Sequence, residues 1–476
     1  MVIAFAIASV SELYAVAALA FSVFVMSFVF AVAERRAIDI VLLAGVYYVF
    51  RFNLIEAVPP YRYVADVISV VSALGVLTLL VTRKGRLRWY DGLFAAWGVY
   101  ALVLAFARDV PLTPAIVQVR AMLGVYPLFV LVREIGFEGT ASRRRAAFAF
   151  YEFFAWALFL QAFVEKVSGK LVLTTSFVKW TSISHTNWPR VYGWTANPNS
   201  LGALCVLLIA LGILFAVWGQ RGRWLNTGIA LYFGTLVLSV SRSAMWGLIA
   251  FLAVVLFQRT FEGMGRREIV RFLFRPFAIG LAAAFLAILL SIALPMLSQS
   301  LDPRDEGFGV FGRFVTGSEE VDSSRRGGRI FSFTTGLKIA TAGAGDLLFG
   351  QGPATYGSAG SNFWQSPLYD AHDIPESFYA DMFPIMMLVE VGVFGLMLYV
   401  AGLVGLAWAN SSTPLTWRLG VGVMLALWCL FYNVPEITML YFPILVFLGV
   451  HMPHPGRDEM SAILHAGDQR PSQGAG

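Results

Sequence analysis

Apolar runs of membrane-spanning length recur along this chain, separated by short polar interruptions. A bilayer crossing needs about 20 consecutive apolar residues. Segments 13–33, 37–52, 62–82, 91–107, 115–133, 146–165, 199–219, 224–241, 243–258, 276–297, 382–408, 417–433 and 436–452 each read as one crossing, about thirteen in all. Lipid offers the backbone no hydrogen-bond partners, so every crossing is predicted to be a helix. Ser9, Ser11 and Glu12 set the start of the first crossing near residue 13. No Lys or Arg precedes that run, and the first basic pair, Arg35-Arg36, follows it. This pattern predicts a retained span with its start outside rather than a cleaved leader.

Composition agrees with the pattern. Hydrophobic residues make up 58% of the 476 positions and charged residues only 13%, about half the charge of an ordinary soluble domain. By length alone the chain would suffice for two or three soluble domains; the apolar runs exclude that and predict one integral membrane domain over 1–476. The expected fold class is all-α, a polytopic helical bundle with one large, partly helical loop. The net charge of +6 comes mostly from arginine clusters between the runs. Arg35-Arg36, the Arg83–Arg88 run, Arg143-Arg144-Arg145, Arg221 with Arg223, and the Arg259–Arg275 segment all fall on one side. They read as topology signals that assign that side to the cytoplasm, not as a nucleic-acid surface. Cys205 and Cys429 each lie inside an apolar run and suggest neither a disulfide framework nor a zinc site. Residues 456–476 are polar and Gly-rich, and are expected to form a flexible cytoplasmic tail.

The opposite side receives two long connections, 166–198 and 298–381. Loops beyond about 12–15 residues are uncommon unless functional or disordered. The 298–381 connection carries Phe331, Phe333, Phe349, Tyr356, Phe363, Trp364 and Tyr369, with a helix expected from Arg329 to about Ala340; 302–328 is richer in Gly, Ser and charge. This side also holds Arg190, Arg242, Arg329 and His372, basic residues that run against the topological bias.

No phosphate loop of the GxxxxGK[ST] type, no HExxH helix and no Asp-x-Asp pair is present, which argues against ATP-driven transport and metal-bound nucleotide sugars. His451 and His454 are two potential ligands where a metal site usually needs three or four. In Arg190-Val-Tyr-Gly-Trp-Thr-Ala-Asn197-Pro198-Asn199, Asn197 and Pro198 read as a helix start, which leaves Arg190 unexplained. Ser239-Val-Ser241-Arg242-Ser243 is squeezed between two crossings. Arg242 is there either a snorkelling anchor or part of a polar pocket with its serines. Arg120 lies one to two turns inside a crossing, where a charge faces a cavity or a partner; Asp66 and Glu152 are candidate partners. Gly350-Gln351-Gly352 is explained by a tight turn. His372 lies among Asp370, Asp373 and Glu376, just before a crossing begins. A carboxylate beside a histidine raises its pKa and orients its ring, as a general base requires; an incidental loop histidine is the alternative. Glu319-Glu320-Val-Asp322 reads as a solvated loop face.

Taken in order, these segments resemble the O-antigen ligase and polymerase family of bacterial envelope glycosyltransferases. The resemblance rests on R-x-x-G-x4-NPN at Arg190–Asn199, the S-x-SRS turn at Arg242 and the arginine opening a loop helix at Arg329. It continues through LLFGQGPATYG at 347–357, the AH pair at His372 and LVEVGVFGL at 388–396, and spans roughly 185–450. It implies a multi-pass protein of the bacterial inner membrane whose periplasmic loop closes over a cavity. Such a protein moves a glycan from an undecaprenyl-pyrophosphate donor to an acceptor hydroxyl, on a growing glycan or on lipid A core, without metal, nucleotide or other cofactor. Carried over by position, Arg242 and Arg329 bind the pyrophosphate and His372 assists the hydroxyl. Arg190, Arg120, Tyr356, Asp373 and Glu376 complete the candidate set as substrate-binding residues. Asp373 stands where the family has Asn, which favours a protonated His372 and weakens a simple general-base role. The competing class is a transporter or flippase for lipid-linked sugars, in which repeated halves and midplane charges are common; no repeat is visible here.

Overall fold

In the computed structural model the described residues are 22–57, 63–82, 84–136, 141–168, 191, 193, 195, 198–217, 223–257, 266–298, 329–376, 378–380, 382–409, 415–430 and 433–449. Among them every regular element is helical. In chain order these are α1 (Ser22–Ala33), α2 (Ala37–Ala57), α3 (Val64–Val81), α4 (Trp89–Ala107), α5 (Leu112–Leu123), α6 (Tyr126–Ile135), α7 (Ala141–Ser168), α8 (Pro198–Val217), α9 (Arg223–Ser239), α10 (Arg242–Phe257) and α11 (Arg266–Ser298). The long connection contributes α12 (Arg329–Ala340), α13 (Ala344–Phe349), a 3-10 turn at Ala359–Phe363 and α14 (Pro367–Ala371). Three more helices follow: α15 (Phe383–Ala409), α16 (Leu415–Cys429) and α17 (Thr438–Gly449), with a 3-10 turn at Val434–Glu436 between the last two.

A helix stands within each expected crossing, and six segments are long and apolar enough to cross a bilayer: Val64–Val81, Trp89–Ala107, Leu112–Ile135, Pro198–Ala216, Leu273–Leu290 and Phe383–Ala409. The described part of the chain is therefore a helical membrane bundle. The expected helix from Arg329 to about Ala340 forms as α12. Arg190, residues 299–328 and the tail 456–476 lie outside the described residues.

One crossing departs from expectation. The run 115–133 is two helices, α5 and α6, broken at Gly124-Val125. Pro127 has no N–H to offer Leu123, so the ladder cannot run through. Gly124 N–H still reaches the Arg120 carbonyl at 2.7 Å, and the Ser69 hydroxyl from α3 reaches the Gly124 carbonyl at 2.7 Å. Freed backbone groups are thus satisfied by a neighbouring helix, as an apolar medium demands.

Helices α7, α8 and α11 pack around α9, while α4 packs along α15 and α10 along α16. α17 touches α2, α6 and α8, and so joins the two groups. Its Tyr441 bonds Tyr399 of α15 hydroxyl to hydroxyl at 2.6 Å, deep in the core. Small residues permit the closest approaches: a Cβ on Gly280 of α11 would collide with the Ala230 carbonyl of α9.

Candidate functional site at the end of the bundle that carries the connection

The connection is bolted to a break in α15. Gly392 has φ 67° and ψ −174°, which only glycine adopts readily, and it opens the helix after Val391. Val389 and Glu390 carbonyls, released there, accept from Gln351 and Gly352 N–H groups, each at 2.8 Å. Gly350, at φ 83°, lies so close that a Cβ would come 2.5 Å from the Glu390 carbonyl oxygen. Tyr100 of α4 completes the lock: its hydroxyl lies 3.0 Å from the Phe349 carbonyl and 3.1 Å from the Val391 carbonyl. Gly350-Gln351-Gly352 is thus a tight turn, as its sequence suggested, and its mate is the Glu390-Val391-Gly392 step. Glu390 is fully buried and accepts the Tyr356 N–H at 3.0 Å.

A second carboxylate holds the next stretch. Glu436, in the turn between α16 and α17, accepts from Gln118 Nε2 of α5 at 2.7 Å, from Ala359 N–H at 3.0 Å and from the Tyr379 hydroxyl at 3.1 Å. Gln118 in turn accepts the Gly360 N–H at 3.2 Å. Among the described residues no cation lies within ion-pair distance of Glu436. Burial pushes its carboxyl up to about 7, against the pull of bonds from Gln118, Tyr379, Asn433 and Ala359. Segment 354–360 is therefore cradled by two carboxylates, Glu390 and Glu436.

The Arg242 turn belongs to the same end. Trp428, at the close of α16, donates its indole N–H to the Ser243 carbonyl at 3.2 Å. Arg242 is the first residue of α10 and exposed, and it forms no ion pair with any described residue. Ser239, Ser241 and Ser243 are buried; Ser239 donates to the Leu236 carbonyl at 2.7 Å, and Ser241 Oγ accepts the Ala244 N–H at 3.4 Å. Ser241 thereby caps the start of α10, as a small hydroxyl at a helix end can. They also pack on α8: a Cβ on Gly202 would come 2.6 Å from Ser241 Cβ. The helix start at Pro198 and the Arg242 turn are in this way one packed unit.

The other candidates differ in what the structure makes of them. Arg120 is bonded to Asp66, Nε to Oδ1 at 2.7 Å, the structural pairing its sequence allowed. Tyr356 is fully buried, and its hydroxyl donates to the Ser332 carbonyl at 2.6 Å. Burial raises its pKa, and this bond anchors α12. Arg329 opens α12. His372 caps α14, whose start is capped by Ser366, and is half-buried. Asp370, Asp373 and Glu376 are exposed, and among the described residues none is within ion-pair distance of His372. Asp373 has φ 52°, which turns the chain sharply after the histidine.

Three carboxylates outside the sequence-derived set hold the connecting segments. Glu390 and Glu436 are described above. Glu165, buried at the end of α7, accepts the Gly193 N–H at 3.1 Å and a bond from Gln161 at 3.1 Å, and so positions the stretch that follows Arg190. A carboxylate close to the end of an apolar run is the signal each shares. Among the described residues no three His, Cys, Asp and Glu side chains gather as a metal would require. No family model matches the chain, and no curated protein sequence matches it.

Proposed function

We propose that this protein is a glycosyltransferase of the bacterial inner membrane, with about thirteen crossings and the 298–381 connection on the periplasmic face. It transfers a glycan from an undecaprenyl-pyrophosphate donor to an acceptor hydroxyl of a growing polysaccharide or of lipid A core. The observation that carries the reading is the contrast among arginines at the connection-bearing end. Arg108 is bonded to Asp346 at 3.0 Å and Arg120 to Asp66 at 2.7 Å, whereas Arg242 is exposed with no described carboxylate beside it. A guanidinium held at a helix start beside the bilayer suits an external diphosphate, which it engages through paired N–H donors while staying charged.

The chemistry asks little more of the protein. The acceptor oxygen attacks the anomeric carbon, and the bond from that carbon to the diphosphate breaks with its electron pair staying on phosphate. Arg242, with Arg329, stabilises the charge that develops there. The acceptor's proton passes to His372, which lies outside the cradle that grips segment 354–360.

Removing an electrostatic stabiliser of this kind typically costs about 2.7–4 kcal/mol in the transition state. Purified Arg242→Ala is therefore expected to lose at least about a hundredfold in transfer rate while melting like wild type. Unchanged transfer by that variant in detergent would reject the role. A polymerase yields a ladder from donor alone and a ligase requires lipid A core. A flippase moves labelled donor across liposomes and forms no glycosidic bond, which would overturn the proposal.

A further inference from the structure

Helix α12 has two faces. Ser332, Gly336, Ile339 and Ala340 turn inward, and a Cβ on Gly336 would collide with Ile385 of α15. Ile330, Phe333 and Leu337, spaced along the other face, are uncovered among the described residues. α13 repeats the pattern with Leu348 and Phe349, each 49% exposed. A soluble loop seldom leaves five large apolar side chains bare on adjoining helices.

The α13 end of this strip adjoins the apolar surface of α4 and α15. The Tyr100 hydroxyl that bonds the Phe349 carbonyl belongs to a ring packed edge-on against Phe394 at 5.1 Å. Phe394 and Met397 begin the exposed apolar side of α15, and Val99, Val103 and Phe106 (88% exposed) form that of α4. Asp346, three residues before Phe349, is neutralised by Arg108 at the end of α4. Phe349 is bonded to Tyr100, eight residues further into that helix. The backbone obeys the rule of an apolar medium here too. The carbonyls of Val389, Glu390 and Val391, opened by the break at Gly392, have partners in Gln351, Gly352 and Tyr100.

We propose that α12 and α13 are embedded in the adjacent half of the bilayer, with Ile330, Phe333, Leu337, Leu348 and Phe349 against acyl chains. The connection is then a lipid-anchored element and not a solvated cap. This inference rests on the membrane bundle and is independent of the transferase reading.

Spin labels test it in liposomes. Cys205 and Cys429 are the only cysteines, so Cys205→Ala/Cys429→Ala gives a background for single cysteines at 333, 337 and 349. Val103 serves as a lipid-facing control and Asp373 as a solvated one. A charged nickel chelate is excluded from hydrocarbon whereas oxygen concentrates there. The oxygen-to-chelate collision ratio at Phe333 and Phe349 is expected to match Val103 and exceed Asp373 at least about tenfold. A ratio equal to that at Asp373 overturns the proposal. So does protection from both reagents, which would mean that protein covers the strip. If the label at 349 disrupts packing, exposed Leu337 gives the same reading alone.

Discussion

At the start of α4, Asp91 accepts from both terminal nitrogens of Arg133, at 2.8 and 2.9 Å, and from the Tyr126 hydroxyl at 2.5 Å. Arg133 also bonds Glu134 at 2.8 Å and reaches the Tyr90 hydroxyl at 3.1 Å. At the connection-bearing end of the bundle lies Glu436, whose described partners are the Gln118 and Asn433 amides, the Ala359 N–H and the Tyr379 phenol. Burying charge is expensive at both ends. One end meets the cost with an opposite charge in bidentate geometry. The other meets it with neutral dipoles, which leave the carboxylate near its titration point. The first arrangement suits a permanent joint between α4 and α6. The second suits a segment that grips a working connection.

The largest expected effect is at the permanent joint. Leaving a buried charge without its partner costs about 3–5 kcal/mol, while replacing both partners by apolar groups is often close to neutral. Arg133→Leu should therefore unfold far earlier in a detergent melt than Arg133→Leu/Asp91→Leu. If the single variant melts within a degree or two of wild type, the Arg133–Asp91 pair is not the joint described here.

Two glycines sharpen the contrast next. Gly136 (φ 73°, ψ 163°) and Gly392 (φ 67°, ψ −174°) have nearly the same unusual backbone, one just after α6 and one at the break in α15. A Cβ on Gly136 would meet nothing within 4 Å, whereas on Gly392 it would collide with the Leu348 carbonyl oxygen. Both alanine variants bear the conformational cost of about 1–3 kcal/mol; Gly392→Ala should cost about 1–3 kcal/mol more through the clash. Protease sensitivity of the connection should rise in Gly392→Ala alone. Equal losses at both sites would show that the connection does not press on α15.

Much of the fold was legible because lipid leaves so few options. A run of apolar residues long enough to cross must be a helix, and a helix was found within each such run. The break before α6 was not, because Pro127 sits in an apolar stretch whose hydropathy hides a missing donor. The tight turn at Gly350-Gln351-Gly352 was read correctly, but not its mate at Gly392. Serines around Arg242 illustrate a harder limit, since the same residue type lines pockets and caps helices. The Tyr356 bond was hidden for a related reason: nothing in a Gly-rich loop shows that packing places its hydroxyl against Ser332. Glu436 was overlooked because its meaning is wholly tertiary. It sits in a short turn, and the Gln118 amide that engages it is 318 residues away in sequence.

The smallest effect is the most specific to the connection end. Glu436 has an ordinary value of 4.5 and is raised to about 7 by burial. A raised carboxyl contributes stability that is fully present below the unfolded value and is lost as pH climbs through the folded one. Wild type should therefore lose stability between about pH 4.5 and 7 through this group, as the unfolded chain ionises while the folded one resists. Glu436→Gln cannot ionise and lacks that component. The difference in melting temperature between wild type and Glu436→Gln, followed from pH 5 to 8, should move steadily against wild type. The shift should be on the order of 1 kcal/mol, because solvent near a partly exposed carboxylate reduces the full linkage. The double-leucine variant at Arg133 and Asp91, measured in the same way, should show no such slope in this window, since it retains Glu436. A flat difference for Glu436→Gln would place the carboxylate in water, and the cradle around segment 354–360 would then be an ordinary surface contact.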